Sequence, residues 1–181
     1  MGKSFMRLVD YVVAEVERRW QGGEQTQWEL MPEALYMFEN DSALLALYQR
    51  WQNAAPCGGG LPRKDAFDPQ SELEQFDGVD AVECLVIRVK GDDESGASRG
   101  SRFVGSSAML AENPKDTAFL EYELQSVLLH ATPRYHHVDQ ITDGRQSVFS
   151  RLLLPVVGEA GDIVEVLMAE NRQIETVVER V

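Results

Sequence analysis

The sequence predicts an α+β fold, a five-stranded antiparallel sheet with helices on one face and a helical extension at the N-terminus. Three observations predict it. Helical periodicity is confined to a few segments, and only one of them, Thr117 to His130, lies beyond residue 80. From Val82 onward the apolar residues gather instead into short β-branched runs. The joints between the last three runs are too short for parallel crossovers, so their strands must be antiparallel. With 181 residues, 44% of them hydrophobic, the chain can bury one core of its own.

Phe5, Leu8, Val9, Val12, Val13 and Val16 fall at helical spacing, which predicts an opening helix with one apolar stripe, ended by Gly22 and Gly23. Residues 24 to 40 carry Trp28, Leu30, Leu35 and Phe38 without clean periodicity and read as a connector. A second helix is expected over Ser42 to Ala54, capped by Asp41 and striped by Leu44, Leu45, Leu47, Tyr48 and Trp51. Pro56 and Gly58-Gly59-Gly60 stop it, and a loop-like stretch follows with a short helix at Ser71 to Phe76. Val82 to Val89 and Arg102 to Ser106 read as paired strands around a polar, glycine-rich tip. A helix over Thr117 to His130 separates them from three more strands, Arg134 to Ile141, Ser147 to Val157 and Ile163 to Ala169. Asp143-Gly144 and Gly158 to Gly161 join these as hairpins.

Thirty acidic residues against 17 basic ones give a net charge of -13. Such a surface repels phosphate backbones and anionic lipids, so nucleic acid and membranes are not expected partners. Lys3 and Arg7 precede an apolar stretch that Asp10 and Glu15 interrupt, which does not make a signal peptide. The two cysteines, Cys57 and Cys84, imply no disulfide framework, and a reducing cytoplasm is the expected compartment.

Four segments carry a resemblance to a known family. They are Leu44-Leu45-Ala46-Leu47-Tyr48-Gln49-Arg50-Trp51; Leu61-Pro62-Arg63-Lys64-Asp65 with Asp68-Pro69; Ser101-Arg102-Phe103-Val104-Gly105-Ser106; and Phe149-Ser150-Arg151-Leu152-Leu153-Leu154-Pro155-Val156. In order and spacing, from about Leu44 to Glu170, the chain resembles the PAS-like domain proteins of alphaproteobacteria. It departs from them before the first strand, where Gln75 to Asp80 replaces the usual leucine-leucine-proline turn. The resemblance implies a five-stranded PAS-like domain over residues 41–181, with residues 1–40 as amphipathic helix and connector. It implies a sensory or docking module for signal transduction without catalytic activity. Fold membership names a role class and leaves the site to be argued from residues.

No catalytic or metal motif stands out. His136 and His137 are adjacent on an expected strand and point to opposite faces, so they cannot grip one metal ion together. Heme would need one axial histidine, His130 or His137, and no attachment signature accompanies either, which leaves the cofactor unassigned. Gly58-Gly59-Gly60 before Arg63-Lys64 lacks the spacing and the hydroxyl of a phosphate loop. The seven carboxylates from Asp65 to Glu83 do not match a calcium loop and read as a solvated acidic face.

The remaining candidate is a pocket between the helix around Tyr122 and the sheet. Its expected anchors are Ser106, Tyr122, Tyr135, His137 and Arg151, with Met168 as an adaptable wall. The apolar stripe of Phe5, Leu8, Val9, Val12, Val13 and Val16 is expected to form a homodimer or to meet a signalling partner. Two other classes are weighed against the sensor. One is a small enzyme joining an acidic-loop carboxylate, Asp68 or Glu72, to His137; the other is a structural adaptor with a solid core.

Overall fold

The computed structural model describes residues 8–76, 82–90, 102–105 and 114–177. Seven strands form one sheet in the order β1-β2-β5-β6-β7-β3-β4, and every neighbouring pair is antiparallel. The strands are β1 (Val12–Trp20), β2 (Gly23–Leu30), β3 (Val82–Lys90), β4 (Arg102–Gly105), β5 (Arg134–Thr142), β6 (Arg145–Val157) and β7 (Ile163–Val177). The helices are α1 (Ser42–Ala54), α2 (Pro69–Phe76) and α3 (Pro114–His130), with short 3-10 turns at Leu8–Tyr11, Pro32–Met37 and Glu39–Asp41. The α+β class is as expected, with seven strands in place of five.

The expected N-terminal helix is corrected to a hairpin. Val12, Val13 and Val16 lie in strand β1, Leu8 and Val9 in the preceding 3-10 turn, and Phe5 falls outside the described residues. Gly22, at φ 92°, turns the chain so that Trp20 faces Gly23 and β2 runs back along β1. The β-branched valines favour the strand, and on β2 the alternation of Thr26, Trp28 and Leu30 supplies a face to bury. The hairpin joins the rest of the sheet through β2 and β5, with Trp28 opposite His137 and Leu30 opposite Tyr135.

The helices cover both faces of the sheet, not one. On β6, Leu152, Leu154 and Val156 belong to a core with Leu44, Leu47, Tyr48 and Trp51 of α1. Leu153, between them, belongs to a second core with Leu120, Leu124 and Val127 of α3. On β7 the same alternation sends Leu167 and Ala169 to the α1 side, and Val166 and Met168 to the α3 side. A strand apolar on both faces needs a layer on each, and the unbroken run Leu152-Leu153-Leu154-Pro155-Val156 states that requirement.

Pro155 in a central strand would ordinarily remove a ladder bond. Here β5 ends its pairing at Arg134 opposite Leu153, so beyond that point one edge of β6 is released. On that edge Val157 donates its N–H to the Pro62 carbonyl at 3.0 Å, and the Val157 carbonyl accepts from Lys64 N at 2.9 Å. Residue 155 shares the edge of residue 157, so the missing N–H leaves no partner unmet. The Pro155 carbonyl accepts Trp51 Nε1–H at 2.9 Å, which fastens α1 to the sheet.

Candidate functional site

Two polar clusters flank the sheet, one on each side. On the α1 side the centre is Asp41, fully buried at the start of α1. Its side chain makes no capping bond to the helix. It accepts instead from Tyr135 Oη at 2.5 Å, Asn171 Nδ2 at 2.8 Å and Gln173 Nε2 at 3.2 Å. Gln173 reaches it because a register shift between β6 and β7 leaves that residue without a cross-strand partner and re-aims its amide, which also donates to Ser150 Oγ at 3.2 Å.

Tyr135 Oη lies 2.6 Å from His137 Nε2. The phenol has one proton, which goes to Asp41, so His137 Nε2 carries a hydrogen and donates to the phenol oxygen. Burial holds the His137 pKa below its ordinary value against the opposing pull of Asp41, and it raises that of Tyr135, with Asp41 adding to the rise. Phe38 lies against the His137 ring at 4.3 Å between centroids. Ser150 Oγ is 3.4 Å from the same Nε2. A nitrogen that already carries its hydrogen cannot take one from Ser150, so these groups form no serine-histidine-aspartate relay.

On the α3 side, Arg151 is the hub. Its Nη1 donates to Glu123 Oε2 at 2.8 Å and its Nε to Glu170 Oε1 at 2.7 Å, with Nη2 2.6 Å from the same Glu170 oxygen. All three residues are buried. Burial alone would raise the Glu123 pKa, yet the guanidinium of Arg151, helped by His136, holds it below the usual carboxylate range. The two carboxylates in turn raise Arg151 against its own burial. Arg172 Nη2, half-exposed, lies 3.8 Å from the other Glu170 oxygen, so a second cation faces the second carboxylate.

Beside this hub lies a cleft of about 70 Å³ between the β1–β2 hairpin and α3. Ala14, Val16 and Arg18 line it from β1, and Tyr122, Glu123 and Ser126 line it from α3. Gln27, Glu29 and His136 complete the lining. Arg18 lies over the Tyr122 ring, 5.4 Å from its centroid, and Glu29 is paired with Arg134. Of these lining residues, Glu123 and His136 have a buried atom each, Oε1 and Nδ1, without a hydrogen-bond partner, while the Gln27 side chain helps to hold the Glu123 carboxylate ionised. His136 Nδ1 stands 3.8 Å from Glu123 Oε2, beyond bonding distance, and burial depresses the pKa of this ring against the pull of Glu123.

Of the six expected pocket residues, the five that are described do not converge. Tyr122 lines the cleft with an exposed ring, and Arg151 stands behind Glu123. Tyr135 and His137 face the other side of the sheet, Met168 is packed in the α3-side core, and Ser106 lies outside the described residues. The lining residues Glu123 and His136 were not singled out for the pocket. The available signal was a glutamate on the inner face of α3, one position from Leu124, and an opposite-face partner for His137.

Of the carboxylates proposed for an enzyme, Asp68 accepts from Ser71 Oγ at 2.8 Å and from Gln70 N at 3.3 Å, as an N-terminal cap of α2. Glu72 pairs with Arg50 at 2.8 Å. His130 bonds back to Ser126 O within its own helix at 2.9 Å. Among the described residues no group of three or more His, Cys, Asp or Glu could hold a metal ion, and no helix is long and apolar enough to cross a membrane. No family model matches the chain, and neither a curated protein nor a solved structure is significantly similar to it.

Proposed function

We propose that this chain is a PAS-like sensory or regulatory module that takes a small molecule in the cleft between the β1–β2 hairpin and α3, and performs no chemistry on it. One observation carries the reading. Glu123 and His136 both line the cleft, and each carries a buried atom, Oε1 and Nδ1, without a hydrogen-bond partner. A buried polar atom without a partner costs about 1–3 kcal/mol, which a ligand supplying the missing donors would recover. The volume of about 70 Å³ holds more than one water and falls well short of a drug-sized pocket. The unpartnered atom of Glu123 is a carboxylate oxygen, an acceptor only, so the fitting ligand is a small molecule rich in N–H donors, such as an amine or a urea. The antiparallel sheet with α3 laid over it is consistent with the family resemblance.

The test is native mass spectrometry of freshly purified protein, followed by NMR titration with methylammonium and with urea. The expected result is a retained small molecule, or saturable shifts at His136 and Ser126 that Glu123→Gln weakens. A protein that carries nothing and shows no saturable shift with either probe would leave the adaptor with a solid core as the better reading.

A further inference from the structure

We propose that strand β1 is the surface through which two copies of this chain associate, its free edge pairing antiparallel with β1 of the second copy. The inference stands on the edge itself and does not require the cleft to bind a ligand.

The two ends of the sheet differ. At one end β4 is four residues long; at the other β1 offers nine, Val12 to Trp20, with no strand beside its outer edge among the described residues. A long unpaired edge is a template for another strand, and natural proteins usually guard it with proline, like charges or shortness. β1 contains no proline, and its charges are of both signs in a self-complementary order. Glu15 and Glu17 come first, Arg18 and Arg19 after, all on a strand whose outer side chains are largely exposed. Run antiparallel against itself about Glu17, the strand sets Glu15 opposite Arg19 of the second copy, twice by symmetry, against one Glu17–Glu17 contact on the axis. Run about Arg18, it sets Glu17 opposite Arg19, again twice, against one Arg18–Arg18 contact, and in either register Arg19 also reaches Glu24 of β2 at 3.5 Å. Opposite charges directly across a strand pair stabilise it, and a two-fold axis repeats each such contact.

Apolar exposure is concentrated at the same place. Of the eight large hydrophobic side chains exposed among the described residues, Val12, Val13, Val16, Met31, Tyr36 and Met37 belong to β1 or to the segment that follows β2. That segment is held next to β1 by Met31 N–H donating to the Tyr11 carbonyl at 2.8 Å. Val13 is 55% exposed and Tyr36 58% exposed, in a chain whose charge otherwise keeps copies apart. An edge of backbone donors and acceptors, flanked by valines and matched in charge to its own copy, fits a second copy better than it fits a partner of one charge.

Sedimentation velocity and light scattering over an about hundredfold range of concentration test the pairing by mass action. The unaltered protein is expected to sediment as a dimer that dissociates on dilution. One double variant, Glu15→Arg with Glu17→Arg, and another, Arg18→Glu with Arg19→Glu, are each expected to stay monomeric. Mixing the two is expected to restore a dimer containing one of each, because only the mixture recovers opposite charges across the edge. Unchanged circular dichroism in both variants separates loss of pairing from loss of fold. A monomer at every concentration of the unaltered protein would overturn the proposal. So would dimers of both variants as tight as the original, which would place the interface elsewhere.

Discussion

Arg151 is the point where stability and pH meet most sharply in this fold. Replacing it with Met keeps the length of the side chain and leaves Glu123 and Glu170 buried on the α3 side without their shared cation. Breaking a buried ion pair by removing one partner costs about 3–5 kcal/mol, against a total stability on the order of 5–15 kcal/mol. At roughly 2–4 °C per kcal/mol for a chain of this size, the midpoint should fall by about 6–20 °C at pH 7. The pH dependence has a definite sign. In the unaltered protein Glu123 is held below its ordinary pKa, so it contributes stability above that value and the contribution fades as pH falls through the depressed one. Without Arg151 the direction reverses. Burial then raises Glu123, so the penalty is full at neutral pH and shrinks as pH drops from that raised value towards the unfolded value of about 4.3. Urea denaturation of Arg151→Met at pH 7 and near pH 4.5 is the assay. The triple replacement Glu123→Leu, Arg151→Met, Glu170→Leu should recover most of the loss, since well-packed apolar groups often match a buried ion cluster. A penalty under about 1 kcal/mol at pH 7, or one that does not shrink on acidification, would refute the account of the cluster as mutually dependent charges.

Tyr135→Phe removes the shortest bond to Asp41 and the acceptor of His137, and it should cost about 1.5–3 kcal/mol in denaturant midpoints at unchanged slope. Acidification from pH 6.5 should lower stability, because His136 and His137 are held neutral by burial in the fold and take up protons at about 6.5 when unfolded. Imidazole NMR shifts should show both rings titrating below the ordinary histidine value. A thiol reagent at pH 8 should label the exposed Cys57 first and Cys84 slowly, since burial pushes the Cys84 thiol up to about 11. Gly22→Ala should destabilise by more than about 1 kcal/mol, because φ is 92° there and the new Cβ would stand 2.9 Å from Asp143 Oδ1.

The elements that were legible are those whose signal is local. α1 runs over Ser42 to Ala54 as its stripe of Leu44, Leu47, Tyr48 and Trp51 requires, and the hairpin at Asp143-Gly144 turns with φ 49° and 79°, as that dipeptide favours. β7 runs on to Val177, beyond the expected Ala169, because β6 supplies partners for polar residues such as Asn171 and Arg172 that no hydrophobic pattern marks. β1 is ambiguous in sequence because Leu8, Val9, Val12 and Val16 satisfy a helical period as readily as a run of valines satisfies a strand. What decides the matter is a pairing partner on the far side of Gly22-Gly23. Strand alternation pairs Tyr135 with His137 and Arg151 with Leu153, and the sheet puts the two pairs on opposite sides, so these anchors do not share one pocket.

By itself, the amino-acid order determined the class, the antiparallel pairing of the last three strands and the extent of α1, because turn residues and apolar spacing act over a few positions. The two-sided burial was also written there, in five consecutive apolar residues of β6, though one face was assumed. Only the tertiary structure decided that Asp41 turns away from its helix to meet Tyr135, 94 positions later, and that Glu123 and His136 come together in the lining of a cleft. A charge is buried only where partners from distant strands compensate its lost hydration, and which partners arrive is settled by the register of the whole sheet.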